Sequence, residues 1–181
     1  MTPPSVADSR FLAYVLRHDP GAIGVTLDGA GWIDVDVLLA ALARRGRPLT
    51  RAGLDMLVAG SDKRRFELRG GRIRAAQGHS IPVELGLAAQ APPPVLFHGT
   101  VARVLPGIFA EGLRPGRRTH VHLSGDARTA AAVGARRGDP VVLRVDAAGA
   151  HRDGHAFYLA ANGVWLTDRV PAHRIGRDHG P

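Results

Sequence analysis

Ala88-Ala89-Gln90-Ala91-Pro92-Pro93-Pro94 divides this 181-residue chain. Three consecutive prolines fix φ three times over and remove three backbone donors, so neither a helix interior nor a central strand runs through them. The stretch reads as a linker. Before it, apolar residues recur at helical spacing. After it, short alternating runs dominate. The expectation is an α+β chain in two lobes, residues 1–90 and residues 91–181.

On the N-terminal side, Phe11, Leu12, Val15 and Leu16 place a helix over Ser9–Arg17, ended by Pro20-Gly21. Gly31-Trp32-Ile33-Asp34-Val35 is strand-like. Asp34 or Asp36 then caps a second helix carrying Leu38, Ala41 and Leu42, which ends near Arg44, and Thr50 caps a third carrying Leu54, Leu57 and Val58. Arg65-Phe66-Glu67-Leu68, Gly70-Gly71 and Arg72-Ile73-Arg74-Ala75 form a hairpin with a glycine turn. Three helices followed by a hairpin resemble a winged helix-turn-helix.

On the C-terminal side, Val95-Leu96-Phe97-His98, His120–Leu123, Val141–Val145 and Val164–Thr167 read as strands. A helix ended by glycine lies between Val101 and Gly112, and another, capped by Asp126, runs to Val133.

The chain carries a formal net charge of +8, and Lys63 is its only lysine. Arginine's planar fork suits phosphates, so a nucleic-acid or nucleotide partner fits, although a GC-rich genome would also write arginine for lysine. The absence of cysteine excludes disulfides and thiolate metal sites. No apolar run approaches the roughly 20 residues of a membrane helix, and Met1-Thr2-Pro3-Pro4 lacks a signal pattern. A cytoplasmic protein without a membrane partner is expected.

Gly116-Arg117-Arg118-Thr119-His120-Val121-His122-Leu123-Ser124 holds the densest set of chemical groups. Extended, it would put Arg118, His120, His122 and Ser124 on one face and Thr119, Val121 and Leu123 on the other. His120-x-His122 has the spacing of two metal ligands, but Arg118 would set a fixed positive charge beside the cation, so no metal is expected. His98-Gly99-Thr100 sits where a strand ends, and a glycine there lets a ligand approach the backbone. Arg17 and His18 close the first helix, where the dipole favours a cation. Asp62-Lys63-Arg64-Arg65-Phe66 is a basic approach to the hairpin, either a contact for a nucleic-acid backbone or a solvated charge run. The residues of Gln77-Gly78-His79-Ser80 do not reveal their role.

Taken in order, these motifs resemble the RNA 2′-phosphotransferase family, which uses NAD⁺ to remove an internal 2′-phosphate from RNA. The resemblance runs through Leu16-Arg17-His18, Gly31–Val35, Asp62–Glu67, Ile73–Ser80, Leu96–Thr100, His120–Ser124 and Asn162-Gly163-Val164-Trp165-Leu166-Thr167. It implies an N-terminal winged-helix RNA lobe and a C-terminal ADP-ribosyltransferase-like mixed β lobe that binds NAD. It also implies an Arg-His-Arg-Arg catalytic set of Arg17, His18, Arg65 and Arg118, with Arg64 and Arg117 as neighbouring alternatives. By the same resemblance His98, Gly99, Thr100, His122, Ser124 and Val164 line the NAD site, and His120 gives structural support.

Val164 falls where many protein-modifying relatives carry a catalytic glutamate. A hydroxyl or amide acceptor needs that glutamate. A phosphate monoester is already an anion and attacks without a strong base, so the valine argues for a phosphate acceptor. The reaction implied has two steps. The RNA 2′-phosphate attacks C1″ of NAD⁺ and expels nicotinamide, leaving 2′-phospho-ADP-ribosylated RNA. The ribose O2″ then attacks phosphorus, releasing 2′-hydroxyl RNA and ADP-ribose 1″,2″-cyclic phosphate. Three arginines hold and stabilise the charge, and His18 is the one member able to exchange a proton near neutrality. The expected partners are NAD and a tRNA-like RNA, met by a monomer that needs no metal. The alternatives are an ADP-ribosyltransferase that caps terminal phosphates of RNA or DNA, and a non-catalytic regulator that senses NAD.

Overall fold

In the computed structural model, which describes residues 4–60 and 64–178, the first helix starts earlier than its apolar spacing suggests. Helix α1 spans Val6–Arg17 because Ser5 and Asp8 form a capping box: Ser5 Oγ accepts the Asp8 N–H at 3.2 Å, and Asp8 Oδ2 accepts the Ser5 N–H at 2.8 Å. Leu12, Val15 and Leu16 form its buried stripe. Pro20-Gly21, expected only to end the helix, opens a 3-10 turn over Pro20–Ile23, capped by Asp19.

Asp34, not Asp36, caps α2 (Val35–Arg44), its carboxylate accepting the N–H groups of Asp36 and Val37. Thr50 caps α3 (Arg51–Ala59). Strands β1 (Ile33–Asp34), β2 (Phe66–Arg69) and β3 (Arg72–Ala75) form one antiparallel sheet in the order β1-β3-β2. The three helices and this sheet enclose one core, with Leu38, Leu54 and Ile73 fully buried. Burying each such side chain stabilises the fold by about 1.5–3 kcal/mol. Asp62 and Lys63 of the basic approach lie outside the described residues, as do Met1, Thr2 and Pro3.

The backbone divides into two units, Met1–Gly86 and Leu87–Pro181. In the second, β4 (Val95–Val101), β6 (Pro140–Asp146) and β9 (Ile175–Arg177) form one antiparallel sheet, and β5 (Val121–Leu123), β8 (Trp165–Thr167) and β7 (Tyr158–Leu159) form another. Helices α4 (Leu105–Glu111), α5 (Ala127–Gly134) and α6 (Ala147–Arg152) connect them. The sheets meet where Phe97 and Ser124 exchange backbone hydrogen bonds of 2.9 and 2.8 Å. The proline-rich stretch is anchored to this unit rather than free. Ala89 bridges Tyr158, Gln90 N–H donates to the Phe157 carbonyl at 2.9 Å, and the Pro94 carbonyl accepts from Ala148 N–H at 3.2 Å. The whole is a mixed α/β chain of six α-helices and three small antiparallel sheets among the described residues. No helix among them is long and apolar enough to cross a membrane.

Candidate active site

Arg17 and His18 stand where α1 ends. The His18 N–H donates to the Tyr14 carbonyl at 2.8 Å and closes the helix. The loop Gln77–Ser80 is bound to this end twice. Ser80 N–H donates to the Arg17 carbonyl at 2.9 Å, and Ser80 Oγ shares a hydrogen bond of 2.9 Å with His18 Nδ1. Gly78, at φ +90°, lies against the Arg17 guanidinium, so that a Cβ there would sit 3.7 Å from Arg17 Nε. His79 is buried beside them. The loop unread in the sequence is therefore the support of the Arg17-His18 pair. With Ser80 on Nδ1, the imidazole is fixed in orientation, and Nε2 is the ring nitrogen Ser80 does not engage.

Arg65 stands at the open end of the hairpin. Its carbonyl accepts the Ala76 N–H at 2.9 Å, and Nη1 donates to Ser9 Oγ of α1 at 3.2 Å. Ser9 precedes Arg17 by eight residues, about 12 Å along a helix, so the structure ties both arginines to α1 at different levels. Arg64, the neighbouring alternative, has φ +38°, a left-handed conformation uncommon for a side chain of its size. That turn delivers the chain into β2 with Arg65 leading.

In the second unit, His98-Gly99-Thr100 lies within β4 and not at its end. His98 Nδ1 donates to the His122 carbonyl at 3.0 Å. A carbonyl only accepts, so Nδ1 carries the proton and Nε2 the lone pair. Burial first, then the nearby charges of Arg137 and Arg118, hold the imidazole below its ordinary pKa despite the hydrogen bond to His122, so the neutral form is favoured. The missing side chain of Gly99 admits the close approach of a helix. A Cβ there would overlap the Ala130 carbonyl of α5, and one at Gly134 would lie 2.8 Å from the Thr100 carbonyl. Thr100 is buried at this contact.

Strand β5 is shorter than expected. Arg118, Thr119 and His120 lie in a bend before it, so strand alternation does not align Arg118 and His120 with His122 and Ser124. Within β5 the alternation holds, with Val121 and Leu123 buried and His122 half-buried between them. Arg118 is exposed, yet packing around its guanidinium and the neighbouring Arg137 and Arg136 lower its pKa. Like charges thus gather near His98, an arrangement that favours an anion. His120 is engaged locally: Nδ1 bonds Thr119 Oγ1 at 3.1 Å, Nε2 stands 3.7 Å from Asp168 Oδ1, and the ring meets Tyr158 edge-on at 6.0 Å. Val164 is half-buried before β8, with its N–H on Asn162 Oδ1 at 3.3 Å. Among the described residues no three His, Asp or Glu side chains gather as a metal-binding group.

Comparison with known proteins gives this chain its relatives. Residues 3–169 match the model of the RNA 2′-phosphotransferase, Tpt1 / KptA family. A Streptomyces coelicolor protein with the curated name "Probable RNA 2′-phosphotransferase" is 59% identical over 171 residues, covering 94% of each chain. Proteins of the same name from Agrobacterium fabrum and Pseudomonas aeruginosa strain PAO1 are 60% and 54% identical. They cover 92% of this chain and 91% and 93% of their own. With a family match over nearly its whole length and relatives above half identity, the chain belongs to the RNA 2′-phosphotransferase family.

Proposed function

We propose that this protein is an NAD-dependent RNA 2′-phosphotransferase that moves an internal RNA 2′-phosphate to NAD⁺ through a 2′-phospho-ADP-ribosyl RNA intermediate. One observation carries the reading furthest. His98 is a carbonyl-held imidazole, favoured in its neutral form, whose charged neighbours are Arg137 and Arg118. Such surroundings accept an anionic dinucleotide, and the charged groups that act on His98 among the described residues are both cations. The attacking anion must then come with the substrate, as a phosphate monoester does. The half-buried Val164 fits the same logic.

The donors present suit NAD. His98 Nε2 offers an acceptor to a ribose hydroxyl, His122 in β5 and Ser124 directly after it add polar side chains, and the arginines offer donors to diphosphate charge. We assign the RNA phosphate to Arg17, His18, Arg65 and Arg118. Arginines place the phosphate and stabilise charge on phosphorus, and His18, oriented by Ser80, serves the departing RNA 2′-oxygen in the second step. The helices and the β1-β3-β2 sheet of the first unit support a winged-helix lobe, and the paired small sheets of the second support an ADP-ribosyltransferase-like lobe.

Incubation with NAD⁺ and an oligonucleotide bearing one internal 2′-phosphate tests this. Release of nicotinamide with formation of 2′-hydroxyl RNA is the expected result. ADP-ribose left attached to a terminal phosphate as the sole product would establish the capping reaction instead. Persistence of the 2′-phosphate with no nicotinamide released would refute both.

A further inference from the structure

At the closed end of the β2–β3 hairpin, away from Arg65, Trp32, Arg69, Gly70 and Arg72 line an open groove of about 330 Å³. Several independent contacts build it. Asp28 fixes its rim: Oδ1 accepts the Trp32 N–H at 2.8 Å, and Oδ2 accepts from Arg72 Nη2 at 2.7 Å. The buried Arg74 fixes the indole, its guanidinium stacking 4.5 Å from the ring centroid. Arg74 is itself pinned by Glu67 Oε2 at 3.1 Å and by the Leu85 carbonyl at 2.9 Å. It is not among the groove's lining residues, so the indole surface reached from the groove is surface that Arg74 leaves uncovered.

Gly70 and Gly71 sit at φ +54° and +74°, a type I′ pair, with open space where their side chains would be. The residues flanking them, Arg69 and Arg72, are directly opposed across the strands. Like charges so placed destabilise a hairpin. Asp28 relieves Arg72, but Arg69 has no ion pair among the described residues. A fixed aromatic surface, an unneutralised arginine and a bare glycine turn form one accessible feature, and the chemistry that matches all three is a nucleotide.

We propose that this groove is a second RNA contact, in which a base stacks on Trp32 while Arg69 and Arg72 take a backbone phosphate. It rests on the reading of the protein as an RNA-acting enzyme. It adds that the enzyme grips a nucleotide other than the one bearing the 2′-phosphate, because Arg65 and Arg69 are separated by the length of β2, about 13 Å.

The test uses the full chain without NAD⁺ and a labelled single-stranded RNA of about ten nucleotides that carries no 2′-phosphate, so it does not depend on turnover. Binding is followed by anisotropy and by tryptophan fluorescence. Stacking quenches Trp32, and Trp32→Phe removes that quench while keeping most of the affinity. Arg69→Ala, at an exposed position, weakens binding severalfold and lowers the salt dependence by about one phosphate contact. Trp32→Leu weakens it roughly tenfold, with circular dichroism checking the fold. An Arg69→Ala protein that binds as the parent does, with tryptophan fluorescence unchanged by RNA, overturns the proposal. Should the groove bind as stated while no nicotinamide is ever released from a 2′-phosphorylated RNA, the catalytic reading fails and the RNA contact stands.

Discussion

The two units hold their candidate histidines in opposite ways. In the first, His18 is exposed at a helix end and hydrogen-bonded by the side chain of Ser80, from a loop 62 residues away. In the second, His98 lies within a strand and is oriented by a backbone carbonyl, that of His122, with burial first and cationic neighbours second favouring its neutral form. A side-chain tether leaves a group able to adjust and exchange a proton. A backbone tether makes a fixed acceptor. The difference suits the roles proposed for the two histidines, His18 in the phosphate chemistry and His98 in dinucleotide binding.

The largest expected effect comes from removing one arginine in each unit. Arg65→Ala and Arg118→Ala should each slow formation of 2′-hydroxyl RNA by on the order of 100–1000-fold. ADP-ribosylated RNA should accumulate in rapid-quench time courses. If only one of the two accumulates it, the units do not share the second step as assigned.

Two glycines sharpen the contrast between structural and functional backbone. Gly99→Ala forces a Cβ into the Ala130 carbonyl and should lower stability by about 3 kcal/mol or more, read as a loss of Tm. Gly78→Ala meets only the Arg17 side chain at ordinary distance but adopts φ +90°. It should cost about 1 kcal/mol and fall mainly on turnover, since that turn carries the support of Arg17 and His18.

Ser80→Ala should lower kcat roughly tenfold with the KM for NAD⁺ unchanged, and shift the pH profile of kcat, because His18 loses its orientation. His122→Ala is the matching experiment in the other unit. It leaves the carbonyl in place, so nuclear magnetic resonance of His98 should still report the Nδ1–H tautomer.

The smallest effect is on stability with pH. The folded state holds the His98 pKa below its ordinary 6.5. As pH falls below that value the unfolded chain takes up a proton that the folded chain resists, so stability declines. His98→Gln should flatten that decline in denaturation curves taken below about pH 6.5.

Much of the fold was legible because it is local. Thr50 and Asp126 cap the helices their spacing announced, and Gly70-Gly71 turn the hairpin as expected. The early start of α1 was missed because Ser5 and Asp8 act through hydrogen bonds and not through hydrophobic spacing. Chemically loaded residues were also legible as types, but their supports were not. Nothing near Ser80 in sequence points to His18, and nothing near Gly99 reveals that α5 crosses it. The row from Arg118 to Ser124 misled in one respect, since alternation applies only where backbone pairing holds the chain extended, and here that begins at Val121.

The most direct test follows the phosphorus atom itself. An RNA radiolabelled at its single internal 2′-phosphate is incubated with the protein and NAD⁺, and the label is traced alongside nicotinamide. The account predicts that the label leaves the RNA as ADP-ribose 1″,2″-cyclic phosphate, one for each nicotinamide released. Label appearing as inorganic phosphate, or departing without NAD⁺, would contradict it.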